Sequence, residues 1–269
     1  MCTYWSRLTG VSGVVAAALL LSSCNSTGLG SGTGSTTTDE SATGVWSGTD
    51  SMTGATVIAL INSAGQATFV TSGGLQVNQG QFVGSAQVSG STLAVTVDGY
   101  SNFPSTFSDG STYGLGTLNG AVTTGSSITA TLTFTTSGPN GGIAISGSWS
   151  LSYSSQSNNA SSPTVISGNY TDTSTGAVLS INSNGVMTSQ GPNNCVLNGS
   201  VATGDTSHNI YEVSYTYANC TGSYAGLNGV QLTGLATLNT SSSPEQLFIA
   251  VTGASSTYKY SIVSTLNGS

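Results

Sequence analysis

Residues 127–135 read Ser-Ile-Thr-Ala-Thr-Leu-Thr-Phe-Thr, so apolar residues alternate with small hydroxyl residues. Successive side chains of a β-strand point to opposite faces, and this alternation therefore predicts one buried and one solvated face. The buried face would carry Ile128, Ala130, Leu132 and Phe134. The same period of two recurs from Gly44 onward, and no window of a dozen residues there has helical spacing. The sequence predicts an all-β protein.

The alternating segments give about eight strands in each half of the chain. The first half predicts strands at 44–48, 55–61, 66–71, 80–88, 91–98, 111–122, 127–135 and 142–153. The second half predicts strands at 165–171, 176–182, 185–190, 194–203, 209–218, 229–239, 245–252 and 256–265. Short strands joined by tight turns favour antiparallel meanders, and closing each meander into a barrel removes its exposed edges. Two β-sandwiches are the alternative.

The two halves repeat each other with an offset near 120 residues, which indicates a duplication. Ile-Asn-Ser-Ala-Gly at 61–65 recurs as Ile-Asn-Ser-Asn-Gly at 181–185, and Thr-Gly-Ala at 53–55 recurs at 175–177. Gly-Leu-Gly-Thr-Leu at 114–118 recurs as Gly-Leu-Ala-Thr-Leu at 234–238. The expected organisation is two tandem β-domains, residues 44–153 and 165–269, with residues 154–164 as the linker.

Gly44-Val45-Trp46 opens the first predicted strand and resembles the Gly-x-Trp opening of lipocalin-like and avidin-like barrels. The second copy has Gly-Asn-Tyr at 168–170. The resemblance implies small barrels, each able to hold an apolar molecule. A barrel of eight strands can instead be filled by its own side chains.

The N-terminal residues resemble a bacterial lipoprotein signal. A short positive region ends at Arg7, an apolar run follows from Leu8 to Leu21, and Leu21-Ser22-Ser23-Cys24 resembles the lipobox. The resemblance implies that residues 1–23 are removed and that Cys24 carries a thioether-linked diacylglyceryl group and an amide-linked acyl chain. An ordinary cleaved signal or an uncleaved helical anchor is the alternative.

Residues 24–43 follow as the lipidated cysteine and a Gly- and Ser-rich stretch, which predicts a flexible tether. In lipoproteins an Asp after the lipidated cysteine commonly retains the protein in the inner membrane. This chain has Asn25, which favours lipid anchoring in the outer membrane. The periplasmic face of the inner membrane is the alternative.

The composition excludes several classes of partner. Charged residues are 4% of the chain. After removal of Arg7 with the signal, Lys259 is the one remaining Lys or Arg, and the chain has nine Asp and Glu residues. Without a basic patch, nucleic acid and anionic lipid headgroups are poor partners. We therefore expect the lipid bilayer to be a partner through acylated Cys24.

Two cysteines remain after Cys2 leaves with the signal and Cys24 takes the lipid. Cys195 and Cys220 would be paired directly in a hairpin centred between Ser207 and His208, within a run of turn residues. An exported protein meets an oxidising compartment, so this register predicts a structural disulfide.

The remaining residues predict no enzyme, metal site or cofactor. His208 is the only histidine and lies in a predicted turn, and the acid pairs Asp98/Asp109 and Asp172/Asp205 occupy strand ends and turns, where Asp is common.

An aromatic cluster lies in the longest predicted loop, Gly99–Gly110, and at its border: Tyr100, Phe103, Phe107 and Tyr113. Aromatic faces among neutral hydroxyl and amide groups can bind a neutral glycan, but they also pack loops onto barrels. The sequence thus favours a non-enzymatic envelope lipoprotein, a binding or adhesive module for a neutral glycan or a protein. A lipocalin-like carrier of a small apolar ligand is the alternative.

Overall fold

The computed structural model describes residues 38–138 and 141–269, and its strands form two closed antiparallel barrels of eight strands each. The predicted all-β fold class is confirmed, and the barrel rather than the sandwich is the observed closure. The predicted signal peptide at 1–23, Cys24 and the tether up to residue 37 lie outside the described residues. Within the described ranges no helix has the length and apolar character needed to cross a membrane.

The first barrel runs as a meander in chain order and closes when its last strand pairs with its first. The closing register extends over five residue pairs, from Trp46 opposite Tyr153 to Asp50 opposite Trp149. Its strands are β1 (Gly44–Asp50), β2 (Thr56–Ile61), β3 (Gln66–Ser72), β4 (Gln79–Ser89), β5 (Thr92–Ser101), β6 (Tyr113–Thr123), β7 (Ser127–Thr136) and β8 (Ala144–Tyr153).

The second barrel has the same strand order, with shorter strands at its start. Its strands are β9 (Gly168–Thr171), β10 (Val178–Ile181), β11 (Val186–Gln190), β12 (Val196–Ala202), β13 (Tyr211–Ala218), β14 (Gln231–Asn239), β15 (Gln246–Ala254) and β16 (Lys259–Gly268). Between the barrels lie a 3-10 turn, Ser155–Asn158, and a one-turn helix, α1 (Pro163–Ile166). Two further 3-10 segments, Pro192–Asn194 and Gly222–Leu227, belong to loops of the second barrel.

Side chains fill the interior of the first barrel. The expected stripe on β7 is buried, and the largest buried side chains are aromatic: Trp46, Phe69, Phe82, Phe134 and Trp149. The Phe82 ring lies 5.3 Å from Phe134 and 5.8 Å from Trp149, centroid to centroid. Such aromatic pairs add to the gain from burial itself, so the interior is a packed core.

The second core is built from smaller residues and tyrosines. Met187, Tyr211 and Leu232 are fully buried, and Tyr170 and Tyr215 are almost so. Tyr170 takes the position that Trp46 has in the first copy, and its hydroxyl donates to the carbonyl of Ile166 at 2.8 Å. A buried tyrosine needs such a partner, and helix α1 supplies it.

A repeated turn closes the first hairpin of each barrel. Asp50-Ser-Met-Thr-Gly-Ala55 and Asp172-Thr-Ser-Thr-Gly-Ala177 both join the first Asp to the final Ala by an amide-to-carbonyl hydrogen bond of 2.9 Å. In each turn the Asp Oδ1 also accepts the amide two residues later, at 2.8 Å. The matching sequences therefore adopt matching local structures.

The Asp50 carboxylate differs from that of Asp172 in being fully buried. Its Oδ1 accepts the amides of Met52 and Thr53, and its Oδ2 accepts the Trp149 Nε1 at 3.1 Å and the Ser148 amide at 3.2 Å. Four donors thus satisfy the oxygens of this buried carboxyl group, as burial of a polar group requires. The carboxylate thus fastens the β1–β2 turn to β8.

The two barrels lie side by side and belong to one compact unit. Val45 and Leu60 on the outside of the first barrel pack with Ile210 and Leu235 of the second. The Asn62 side chain donates to Glu212 Oε1 at 3.2 Å near the same end.

The long loops of both barrels gather at one end of the molecule, the long-loop end. Phe103 from the β5–β6 loop contacts the rings of Tyr224, Tyr258 and Tyr260 at the corresponding end of the second barrel. The other end, the short-turn end, carries turns such as those at Gly65 and Gly90 and also the start of β1.

Cys195 and Cys220 form a disulfide at the long-loop end of the second barrel, as the cysteine spacing predicts. The prediction that Cys195 and Cys220 lie directly opposite each other in the hairpin is wrong by one residue. Val196 lies opposite Ala218, so that the ladder would place Asn219, not Cys220, opposite Cys195. Asn219 adopts a positive φ of 60°, and this extra residue brings Cys220 to a Cα distance of 4.1 Å from Cys195.

We predict that Asp50→Ala will lower the free energy of unfolding by about 3 kcal/mol or more, since it leaves buried donors without an acceptor. The matched change Asp172→Ala, at the partly exposed copy of the turn, should cost about 1 kcal/mol. Denaturant unfolding of both variants measures the difference. Equal losses would contradict the assigned role of burial.

Candidate binding surface

The four aromatic residues singled out from the sequence occupy three different environments. Tyr100 and Tyr113 lie opposite each other on β5 and β6, with ring centroids 5.3 Å apart. Phe107 is 1% exposed and packs 5.4 Å from Phe134, so it caps the core of the first barrel. Phe103 points to the second barrel. The structure does not gather the four side chains into one surface.

The Phe103 segment completes the wall of the second barrel. The Phe103 amide donates to the carbonyl of Ser261 at 2.8 Å, and the Asn102 side chain accepts the amide of Val263 at 3.0 Å. Ser261 Oγ donates to Gln81 Oε1 at 2.7 Å in the buried interface. The first barrel therefore provides hydrogen-bond partners for part of β16.

Tyr113 contacts both an acid and Lys259, the one Lys or Arg among the described residues. Its hydroxyl donates to Asp98, and Lys259 Nζ from the second barrel lies 5.2 Å from the Tyr113 ring centroid. Burial and the nearby Asp98 raise the pKa of Tyr100 to about 12. Burial and the hydrogen bond to Asp98 raise the pKa of Tyr113 as well. Both phenols are therefore neutral donors at physiological pH.

An open depression of about 650 Å³ lies at the long-loop end of the first barrel. Three loops and the start of β8 line it, and most of the contributing side chains are neutral and polar. They are Thr53, Gly74, Leu75, Gln76, Val77, Asn78, Thr106, Ser108, Ala144, Ile145 and Ser146. We call this surface the polar depression.

The loop that forms one side of the polar depression has four consecutive residues with positive φ: Gly73 (79°), Gly74 (67°), Leu75 (45°) and Gln76 (57°). For Leu and Gln this conformation costs roughly 1–2 kcal/mol each. Burial of Leu75 against the core and hydrogen bonds from Ser108 to the Gln76 carbonyl and side chain offset it. Strain of this kind is common at functional surfaces.

Sequence reasoning did not identify this surface. Gly73-Gly74 indicates a turn, but nothing in the local pattern indicates that Leu75 and Gln76 continue the left-handed conformation. The residues of the surface come from three separated loops and from the start of β8, and their proximity depends on barrel closure.

The carboxylates of the acid pairs considered from the sequence have different surroundings in the structure. Asp172 lies in the β9–β10 loop and Asp205 in the β12–β13 loop, at opposite ends of the second barrel. Asp98 accepts from Tyr113, and Asp109 accepts from Ser111 and Thr136. Within the described ranges no three His, Cys, Asp or Glu residues cluster as a metal site would require.

His208 lies in the β12–β13 loop and its Nδ1 is 2.6 Å from Asp205 Oδ2. Hydrogen bonds from Ser207 and His208 hold the pKa of Asp205 at about 2. Asp205 is therefore ionised at physiological pH, and its contacts order the loop.

Two smaller spaces lie at the long-loop end of the second barrel. One is a cleft of about 170 Å³ bordered by Phe103, Asp172 and the Cys195 side of the disulfide. The other is a recess of about 80 Å³ that reaches inward to Leu179, Leu197 and Ile249. Both are smaller than the roughly 300 Å³ at which pockets for drug-sized ligands begin.

We predict that Phe103→Ala will lower the free energy of unfolding by about 2 kcal/mol and will speed hydrogen exchange of the Val263 amide. Phe103 packs against the second barrel, so its loss should loosen β16 in particular. Exchange followed by mass spectrometry provides the measurement.

Phe107→Ala is the matched control, because Phe107 packs within the first barrel. It should cost about 3–5 kcal/mol without a selective effect on β16. Unchanged protection of β16 in Phe103→Ala would show that the segment does not support the second barrel.

Comparisons of the sequence with protein-family models and with curated proteins, and of the fold with solved structures, find no match.

Proposed function

We propose that this chain is a non-enzymatic lipoprotein of the cell envelope, anchored through Cys24, that binds a neutral glycan or a protein partner at the polar depression. The observation that carries the proposal is the position of the depression relative to the point where the N-terminal segment joins the first barrel.

The first described residues attach to the short-turn end. The Asp39 carboxylate accepts the amide of Gly90 at 2.6 Å, and the Glu40 amide donates to the carbonyl of Gly90 at 2.8 Å. The Glu40 carboxylate also accepts the amide of Thr124 at 2.8 Å. A chain that comes from a lipidated Cys24 would thus join the barrel at the end opposite the polar depression, and this supports the proposal that the depression is open to a partner.

The chemistry of the depression favours a neutral partner. Its lining combines the amides of Gln76 and Asn78 with the hydroxyls of Thr53, Thr106 and Ser146, and no charged side chain belongs to it. Hydroxyl and amide groups can donate and accept at the same time, which suits the hydroxyls of a glycan or the backbone of a peptide. The acidic chain also disfavours anionic partners.

The outer membrane is the proposed location, on the basis of Asn25 after the cysteine. The inner membrane, on its periplasmic face, is the alternative.

A carrier of a small apolar ligand is the second candidate. The recess in the second barrel, with Leu179, Leu197 and Ile249 in its lining, favours it. The packed aromatic core of the first barrel and the small size of the recess weigh against it.

We expect Cys24→Ser to abolish metabolic labelling with palmitate and to move the protein out of the membrane fraction, because the thioether can no longer form. Fractionation of cells that produce the wild type or the variant gives the measurement. A variant that stays in the membrane with an uncleaved N-terminus would instead indicate a helical anchor.

We expect the double variant Asn78→Ala/Thr106→Ala to weaken binding to an array of neutral oligosaccharides about tenfold, through loss of two exposed hydrogen-bonding groups. Gln87→Ala, an exposed amide on β4 near the short-turn end, is the matched control and should bind as wild type does. Equal binding by both variants would exclude the polar depression as the glycan site.

A further inference from the structure

The second barrel is closed less completely than the first. β9 and β16 share only two residue pairs, Thr171 with Asn267 and Tyr170 with Gly268, whereas β1 and β8 share five. β9 ends at Thr171, so that Ile262 and Ser264 of β16 have no β9 partner. These two residues and the loop after β9 border the 170 Å³ cleft, which we call the seam cleft.

Aromatic rings form a large part of the seam cleft. Phe103, Tyr217 and Tyr224 all line it, with Phe103 contributed by the first barrel. The ring centroids of Phe103 and Tyr224 are 5.4 Å apart in an edge-to-face arrangement, and Tyr217 stands 5.4 Å from Tyr215 deeper in the barrel. All three side chains are only partly buried, so they remain open to a ligand.

Asp172 adds a carboxylate to the same cleft. Partial burial opposes its ionisation, but hydrogen bonds from Ser174 and Thr175 outweigh that effect and hold the pKa of Asp172 below its usual value. The Ser174 amide and hydroxyl both donate to Oδ1, at 2.8 and 2.6 Å. The carboxylate is therefore charged and fixed in position at physiological pH.

No basic side chain of the described residues neutralises this carboxylate. Among the described residues, the salt bridge joins His208 to Asp205 at the opposite end of the second barrel. The Lys259 ammonium group lies over the ring of Tyr113. A charged acid beside aromatic faces, in a chain with a net charge of −7, attracts a cation.

We propose that the seam cleft binds a small organic cation, a methylated ammonium compound such as choline. The aromatic rings of Phe103, Tyr217 and Tyr224, which line the cleft, would supply cation–π attraction, and Asp172 would supply the opposite charge. The quaternary ammonium group of choline has no N–H bond to donate and is weakly hydrated, so an aromatic surface replaces its water at low cost. A bare metal ion would need more oxygen ligands than the one carboxylate that lines the cleft.

The size of the cleft sets the size of the ligand. About 170 Å³ admits a compact headgroup, while the adjoining recess of about 80 Å³ admits little more than a short chain. We therefore commit to a free small molecule as the occupant. A trimethylated lysine side chain has the same headgroup and is included as a separate arm of the test.

Calorimetric titration of the full chain with choline and with tetramethylammonium tests the proposal. The control ligand is 3,3-dimethylbutan-1-ol, which has the shape of choline but no charge. We expect choline to bind at least about tenfold more tightly than the alcohol, because cation–π and charge attraction are lost with the charge. Equal affinities for choline and for the uncharged alcohol would overturn the proposal. Tighter binding of a trimethyl-lysine peptide than of choline would overturn the choice of a free small molecule.

Two variants locate the site. Asp172→Asn keeps an oxygen acceptor for the Ser174 amide and removes the charge, and we expect it to weaken choline binding about tenfold. Tyr224→Leu removes one aromatic face and should weaken binding about threefold. Asp109→Asn, in a loop of the first barrel, is the matched control and should bind choline as wild type does.

If Asp172→Asn and Tyr224→Leu both bind choline with wild-type affinity, the seam cleft is not the site. Binding of neutral oligosaccharides at the polar depression does not depend on either residue. The glycan and choline measurements can therefore fail independently.

Discussion

The rest of the structure depends on backbone hydrogen bonding at the strand edges, where each unpaired N–H and C=O group needs a partner. Soluble β-proteins commonly protect free edges with lysine and other charges, but here charged residues are 4% of the chain and one lysine is present. Closure into barrels is the remaining solution. Where closure is incomplete, along β16, the first barrel supplies the missing partners through Asn102 and Phe103.

That arrangement makes the two barrels interdependent although they repeat one pattern. The apolar contact of Val45 and Leu60 with Ile210 and Leu235 holds one end together, and the Phe103 contacts hold the other. A duplicated sequence alone would suggest two equal modules. The structure instead has one fully closed barrel that supports a less completely closed one, and the difference between the copies creates the seam cleft.

We propose binding sites on the surface of the barrels rather than in their interiors, because side chains fill the interior of the first barrel. Aromatic side chains occupy the centre of the first barrel, and the buried Asp50 carboxylate fastens a turn across its long-loop end. Ligands are therefore expected at the loops, where backbone strain at Leu75 and Gln76 and the open rings near Asp172 mark two separate surfaces.

The sequence by itself determined the fold class, the approximate place of each strand and the cysteine pair, because alternation and turn residues act over a few neighbouring positions. It missed the register of the disulfide hairpin by one residue, since the spacing of the cysteines does not reveal that Asn219 is an extra residue on one strand. Only the tertiary structure decided that Phe103 serves the second barrel while Phe107 caps the first, although both belong to one loop. The polar depression and the seam cleft likewise join residues from separate loops, and which loops meet is set by barrel closure and by the packing of one barrel on the other.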